Sequence, residues 1–426
     1  MSARRATVVG AGQGGLHLAH GLLGQGWEVT LISDKTPAEY LQMRALSSHT
    51  LQERSVELER RAGIDVYDDL YDNRSLGVDF STTEDGSSVA LRFQGDWEAP
   101  ATAIDTRMKY ALLIEAFERR GGKVLYQTAS VEDLEELTER GESVFLATGK
   151  GGLGKGFTLD EERTVYDRPQ RDLMLLLLKG LQPPRPEQQQ RITFCFNPEA
   201  GEIFWAPNLH KSGEPVHVLL VEARPEGPMD RLGEVSDGAS ALAMTKELMG
   251  EFAAWELDSV RNISLADEDS WLRGAFTPLV RRPVARLDSG RPVFGLGDVL
   301  IVVDPCAGQG GNCTAWGVDH LLRGLEQLDG VPDAEWYEQQ FDAFWDEEGR
   351  YFVEFSNMLI EPPNEVAQAI FGAAQESRPV GDRLTSTFAH PKVLMNYLNA
   401  PDGAERFVRE AEAGVRAEIP APGPVA

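Results

Sequence analysis

Residues 6–33 read ATVVGAGQGGLHLAHGLLGQGWEVTLIS, and this stretch decides the fold. Val8 and Val9 belong to a short buried strand that runs straight into glycine. Gly10, Gly12 and Gly15 then form G-x-G-x-x-G, and Leu16, Leu18, Ala19, Leu22 and Leu23 follow at helical spacing. After Gly26 comes WEVTLIS, a second strand. Strand, glycine turn, helix and strand make a βαβ unit whose glycines let the pyrophosphate of a dinucleotide approach a helix N-terminus. A glycine-rich turn that only packs helix on strand is the plainer alternative. An acid ordinarily closes the second strand and takes the adenosine ribose. Here that position falls on Ser33, with Asp34 beside it.

The chain has 426 residues, enough for two or three domains or one large domain with insertions. A net charge of −27 argues against nucleic acid and anionic membrane as partners, since both need a basic face. Cys195, Cys306 and Cys313 are sparse and include no CxxC pair, so they read as free thiols of a cytoplasmic protein. No apolar run reaches the roughly 18–20 residues of a membrane helix. MSARRATVVGAG passes directly into strand-like residues, so no signal peptide fits. No metal cluster, HExxH or Ser-His-Asp spacing is expected, and His17 and His20 read as packed helix residues. QPPRPEQQQ (182–190) reads as a surface loop and EIPAPGPVA (418–426) as a frayed tail.

The glycine motif cannot choose between NAD and FAD, but a second stretch can. PVFGLGD (292–298) is a short strand followed by Gly-Leu-Gly-Asp, then VLIVVDP, a glycine run and the apolar helix-like Thr314–Leu325. A distant Gly-Asp pair followed by Asp-Pro and a glycine-rich helix start matches FAD proteins of the hydroxylase type. In that pattern Asp298 holds the ribityl chain. Pro305, Gly308, Gln309, Gly310, Gly311 and Asn312 form the loop and helix start against the flavin pyrimidine, where N–H groups and the helix dipole favour negative charge. ATGKGG (147–152) places Gly149 near the adenosine half, and Lys150 and Lys155 read as solvated.

With these motifs the chain resembles the styrene and indole monooxygenase family, the FAD-binding epoxidase components of two-component flavoprotein monooxygenases. Besides GAGQGGLHLA, the resemblance rests on DKTPAEY (34–40), RFQGDWEAPATAIDTR (92–107), ERRGGKV (118–124), ASVEDLEEL (129–137), ATGKGGLGKGF (147–157) and GLGDVLIVVDPCAGQGGN (295–312). It implies that a separate NADH-dependent flavin reductase supplies reduced FAD. It also implies that O2 adds at flavin C4a to give a hydroperoxide, and that an electron-rich aromatic alkene is epoxidised without a protein nucleophile or metal. The family pattern places substrate-pocket candidates at Ser47, His49, Leu51, Val78 and Ala101. Ser47 and Ala101 match the indole type and Leu51 replaces its methionine, so an indole-type or related aromatic alkene is favoured over styrene; His49 in place of glutamine and the segment 73–80 depart from both types and leave a different substrate open. Arg44 and Arg107 are candidates to face the cofactor, with a surface arginine and a salt-bridged helix start as the plainer alternatives.

The expected architecture is α/β. A discontinuous Rossmann-like FAD-binding domain of hydroxylase type (1–45, 103–165 and 285–330) carries an antiparallel-sheet substrate domain (46–102 and 166–284), and C-terminal helices follow (331–426). Aromatics Trp336, Phe341, Phe344, Phe352 and Phe355 fall at helical spacing. They predict an amphipathic helix packed on the FAD domain, a homodimer or reductase contact being the other use of that face. Competing functions are a single-component NAD(P)H-dependent aromatic hydroxylase and a flavin-dependent halogenase. The halogenase is disfavoured because FWAP keeps one tryptophan, Trp205, of its Trp-x-Trp-x-Ile-Pro signature and has Ala-Pro in place of Ile-Pro.

Overall fold

The computed structural model describes residues 4–64 and 74–415. Asn73, the first residue of the expected pocket segment 73–80, and the tail 418–426 lie outside the described residues. Along the chain, β1 (Arg5–Val9), α1 (Gln13–Gly24) and β2 (Glu28–Ser33) precede α2 (Glu53–Arg61) and the hairpin β3 (Ser75–Thr82) and β4 (Leu91–Ala103). Next come α3 (Thr106–Arg119), β5 (Lys123–Tyr126) and β6 (Ser143–Leu146). Strands β7 (Asp172–Lys179), β8 (Arg191–Asn197), β9 (Gly201–Leu209) and β10 (Pro215–Ala223) lead to α4 (Gly238–Phe252) and β11 (Trp271–Ala275). After β12 (Val284–Arg286) and β13 (Pro292–Gly295) come the helices α5 (Gly310–Gln327), α6 (Ala334–Phe344), α7 (Arg350–Ile360), α8 (Glu365–Glu376) and α9 (Arg378–Ser386).

The first sheet has six strands in the order β12-β13-β6-β1-β2-β5, parallel except for the β12–β13 hairpin. Val8, Leu31 and Phe145 are wholly buried, as strands covered by helices on both faces must be. Helix α1 crosses α5 closely: a Cβ on Gly21 would lie 2.3 Å from Leu322. The expected α/β hydroxylase-type architecture is therefore present.

The second sheet has nine strands, with β7-β10-β9-β8-β3-β4 at its centre. It departs from a purely antiparallel sheet at one seam, where β3 runs parallel to β8. Alternation decides which residues face where. Leu175, Ile192, Phe194, Phe204, Ala206 and Val218 share one cluster with Phe80 and Phe93. Their neighbours Met174, Leu176, Cys195, Ile203, Trp205 and Leu219 pack on the opposite face against Met244, Leu248 and Met249 of α4. Burial on both faces explains why DLMLLLLK reads as a continuous apolar run, not an alternating one.

The C-terminal aromatics divide between the two sheets. Phe341, Phe344 and Phe352 bury with Val144, Leu146 and Val293 of the first sheet, as expected. Phe355 instead joins the second-sheet cluster. Phe371 of α8 stacks on Phe93 with centroids 6.0 Å apart, and α9 approaches β4 so closely that a Cβ on Gly95 would sit 2.2 Å from the Gly381 carbonyl oxygen. The later helices thus cover the second sheet, not the first.

Candidate active site

The glycine loop separates into packing positions and an open one. Gly10 has φ +109°, and a Cβ there would lie 2.5 Å from the Ala147 carbonyl oxygen. A Cβ on Gly15 would lie 1.9 Å from the Gly10 oxygen. Gly10 is required by the approach of the chain leaving β6, and Gly15 by the crossing of α1 over β1. Gly12 has nothing within 4 Å of its Cβ position. It is the N-cap of α1, and no side chain caps the helix N–H groups there. An uncapped helix start beside open space is the geometry that a pyrophosphate needs, so the residues present fit a bound dinucleotide.

This loop opens onto a cleft of about 740 Å³ lined by Gly10, Gly12, Asp34, Gly149 and Asp298, among others. Ser33 does not line it: the buried side chain donates to the Lys35 carbonyl and shapes the turn. Asp34, paired with Lys35, is the acid that lines the cleft at the end of β2. Arg44 and Arg107, expected to face the cofactor, are engaged elsewhere. Arg107 is fully buried, grips Asp105 through Nε (3.0 Å) and Nη2 (2.7 Å), and donates to the Met43 carbonyl at 3.1 Å. Arg44 lies over the Trp271 ring at 5.0 Å. Neither lines the cleft; both tie loops together.

A second cavity of about 350 Å³ adjoins the first, with Ser47, His49 and Asp298 lining both. Its volume falls in the range of small-molecule sites. Pro305, Gly308, Gly310 and Gly311 form one wall, and Leu173, Leu175, Phe194, Phe204 and Val218 of the second sheet form another. Gly308 leaves open space and a Cβ on Gly310 would make only ordinary contact with Val303 at 3.8 Å, whereas a Cβ on Gly311 would meet His49 at 3.0 Å. Gln309 and Asn312 are struts. Gln309 donates to the Ala307 and Phe388 carbonyls, and Asn312 bonds the Gln52 N–H, the Thr50 carbonyl and the Gly308 carbonyl. Asp298 pairs with Lys150 at 3.5 Å, and Lys150 lies 3.3 Å above Phe276, so this lysine is not simply solvated.

Of the expected pocket residues, Ser47 and His49 line the cavity. Burial, then the Lys109 ammonium, push His49 down to about 4, so its imidazole is neutral at physiological pH, and its Nδ1 has no partner. Leu51 faces a small separate cavity behind His49. Val78 and Ala101 are wholly buried in the sheet and line neither cavity. Trp205 points into the α4 face, away from the cavity, so FWAP offers no halogenase-like side chain there. The sheet wall was missed in the sequence. Alternation in RITFCF and GEIFWAP carries the signal, but the sequence does not say which of the two buried faces holds the cavity.

Residues 4–152 match the model of an FAD binding domain, and residues 149–258 match that of the styrene monooxygenase A putative substrate binding domain. A styrene monooxygenase StyA from Pseudomonas sp is 32% identical over 412 residues, covering 94% of this chain and 96% of the relative. One from Pseudomonas fluorescens is 28% identical over 415 residues. Among solved structures, a Cytophaga hutchinsonii flavoprotein/dehydrogenase superposes with a TM-score of 0.67 at 14% identity, covering 97% of this chain and all of that one. The flavin-dependent halogenase CmlS superposes with a TM-score of 0.62 at 14% identity, covering 97% and 77%. At such identities these two structures establish the fold alone. Fold, cleft and full-length relatives together place this chain in the styrene monooxygenase family, as an FAD-dependent monooxygenase.

Proposed function

We propose that this chain epoxidises a small aromatic alkene in the 350 Å³ cavity, using FAD reduced by a separate NADH-dependent reductase, with indole-type substrates favoured over styrene. The observation that carries this reading is the meeting of an apolar sheet wall with the glycine-rich wall 308–311. Reduced FAD, when bound, supplies the electrons that activate O2 for transfer of one oxygen atom. Gly12 and the α1 N-terminus would take the pyrophosphate, Asp34 the adenosine ribose, and Asp298 the ribityl hydroxyls. Gly149 would lie by the adenosine half, and Gly308 and Gly310 would let the backbone approach the flavin ring. Leu175, Phe194, Phe204 and Val218 exclude water and hold the arene against that wall. The indole preference rests on Ser47 and neutral His49, which give an N–H-bearing arene an acceptor on the cavity side opposite the apolar sheet wall. Three buried free thiols fit a reducing compartment, the cytoplasm. Among the described residues no helix is long and apolar enough to cross a membrane.

The test mixes the chain with anaerobically reduced FAD, then O2, without NADH, and with indole or styrene in separate vessels. Indigo formed by way of indole epoxide, in better yield than styrene oxide, is the expected result. NADPH oxidation by the chain alone, without product from supplied reduced FAD, would replace this reading with a single-component hydroxylase. Ala206→Leu adds three carbons to the cavity wall. It is expected to lower kcat/KM for indole about tenfold while leaving FAD affinity unchanged, as a steric change confined to the pocket should. Equal loss of FAD binding would show that the wall is not specific to substrate.

A further inference from the structure

We propose that Glu202 and Glu222 share one proton across β9 and β10, and that this protonated pair positions the Asp304–Gly311 loop against the cofactor. The inference rests on the reading above that this loop faces the flavin. Glu202, Glu222, Asp304 and Cys306 are all buried, and one ligand-type atom from each lies within 4.8 Å of the others. Glu202 and Glu222 are direct cross-strand partners. The cation facing them is Arg171, whose Nε donates to Glu202 Oε1 at 2.8 Å. Asp304 accepts from the Cys306 N–H at 3.2 Å, while the Cys306 thiol faces the Ser356 carbonyl at 3.5 Å. Tyr166, on the segment before β7, also faces this group, and its hydroxyl is bonded to Glu361.

Three carboxyls therefore meet one guanidinium away from water. Glu202 Oε2 and both Glu222 oxygens have no hydrogen-bond partner. Two facing carboxylates without a donor between them are too costly to keep buried. A proton on Glu222 turns an orphaned acceptor into a donor for Glu202 Oε2. It leaves Glu202 paired with Arg171, and Asp304 held by the Cys306 N–H. Burial, then the Glu202 and Asp304 charges, raise Glu222 well above the usual carboxylate range, in keeping with this arrangement. Asp304 opens the turn whose Pro305, Ala307, Gly308 and Gly310 line the cavity. Ionising Glu222 sets a second uncompensated charge against that turn.

The sign follows from proton binding. Between the ordinary carboxylate value and the raised one, the folded state holds a proton that the unfolded state has lost. Folding stability therefore declines as pH rises through that window, and the loop loses the protonated pair as pH passes the raised value. FAD affinity, measured by fluorescence from about pH 6 to about pH 10, should fall about tenfold or more in the wild type and change less than about twofold in Glu222→Gln. Infrared spectra should show a buried protonated-carboxyl band in the wild type that is missing in Glu222→Gln. If that variant does not fold, Glu202→Gln reports on the same proton. Three results would overturn the proposal: no such band, coincident pH curves, or a stoichiometric divalent metal in the purified protein. In the metal case a cation, not a proton, balances the cluster. Gly310→Val separates the two readings. If it binds FAD normally, the loop is not at the flavin, whatever the infrared band shows.

Discussion

Gly12→Val is expected to weaken FAD binding about 100-fold, equivalent to about 2.7 kcal/mol, while the protein melts at the wild-type temperature. The backbone at Gly12 is extended (φ −87°, ψ −171°), a conformation that valine adopts without strain. Its Cβ would have no atom beyond its chain neighbours within 4 Å, so the fold has little to rearrange. What it fills is the approach of a phosphate to the first N–H groups of α1. Gly15→Ala should do the reverse. Its Cβ would overlap the Gly10 carbonyl at 1.9 Å, and parting helix from strand should cost about 3 kcal/mol, the upper end of the overpacking range. Isothermal titration with FAD and thermal melting of both variants decide the matter. Normal FAD binding by Gly12→Val would remove the pyrophosphate from this loop.

Lys109→Met is expected to destabilise the fold by about 3–5 kcal/mol, the usual consequence of leaving one partner of a buried ion pair alone. Lys109 on α3 donates to Glu59 of α2 at 2.9 Å and to Gln13 of α1 at 2.7 Å, with both charged groups buried. Burial pushes the Glu59 carboxyl up, but Lys109, with His17 and the Gln13 hydrogen bond, outweighs it and leaves the group below its usual range. The contribution of this pair is therefore present at neutral pH and is lost as pH falls through that lowered value. Adding Glu59→Gln to Lys109→Met should recover most of the stability, because it removes the orphaned charge. Denaturant melts of the single and double variants test this, and a double variant no more stable than the single would show that packing, not charge, sets the cost. Gln13 directly follows Gly12, so this triad also anchors the first turn of α1 under the cofactor cleft.

The cofactor half was legible because its chemistry sits in the backbone. Glycine patterns followed by helical spacing declare where N–H groups must be bare, and the positions so marked at Gly12, Gly308 and Gly310 do border the cavities. Side chains were harder to place. Arg107 stands two residues from Asp105 at a helix start, and only the tertiary approach of Met43 and His210 shows that its guanidinium is consumed there. Val78 and Ala101 are apolar residues on strands, and nothing local separates a cavity face from a core face. The Glu202–Glu222 pair arises from cross-strand register, and Asp304 reaches it from eighty residues further on. The parallel β3–β8 seam is likewise a property of how distant segments meet.

The two-faced second sheet has a consequence for how such an enzyme diversifies. Along β7 to β10, residues that line the cavity alternate with residues that lock α4 in place. Selection for a new substrate and selection for foldedness thus act on interleaved but separate letters of the same segments. A combinatorial library confined to Leu175, Ile192, Phe194, Phe204, Ala206 and Val218 can explore new chemistry while the Met174–Leu176–Trp205–Leu219 side remains as ballast.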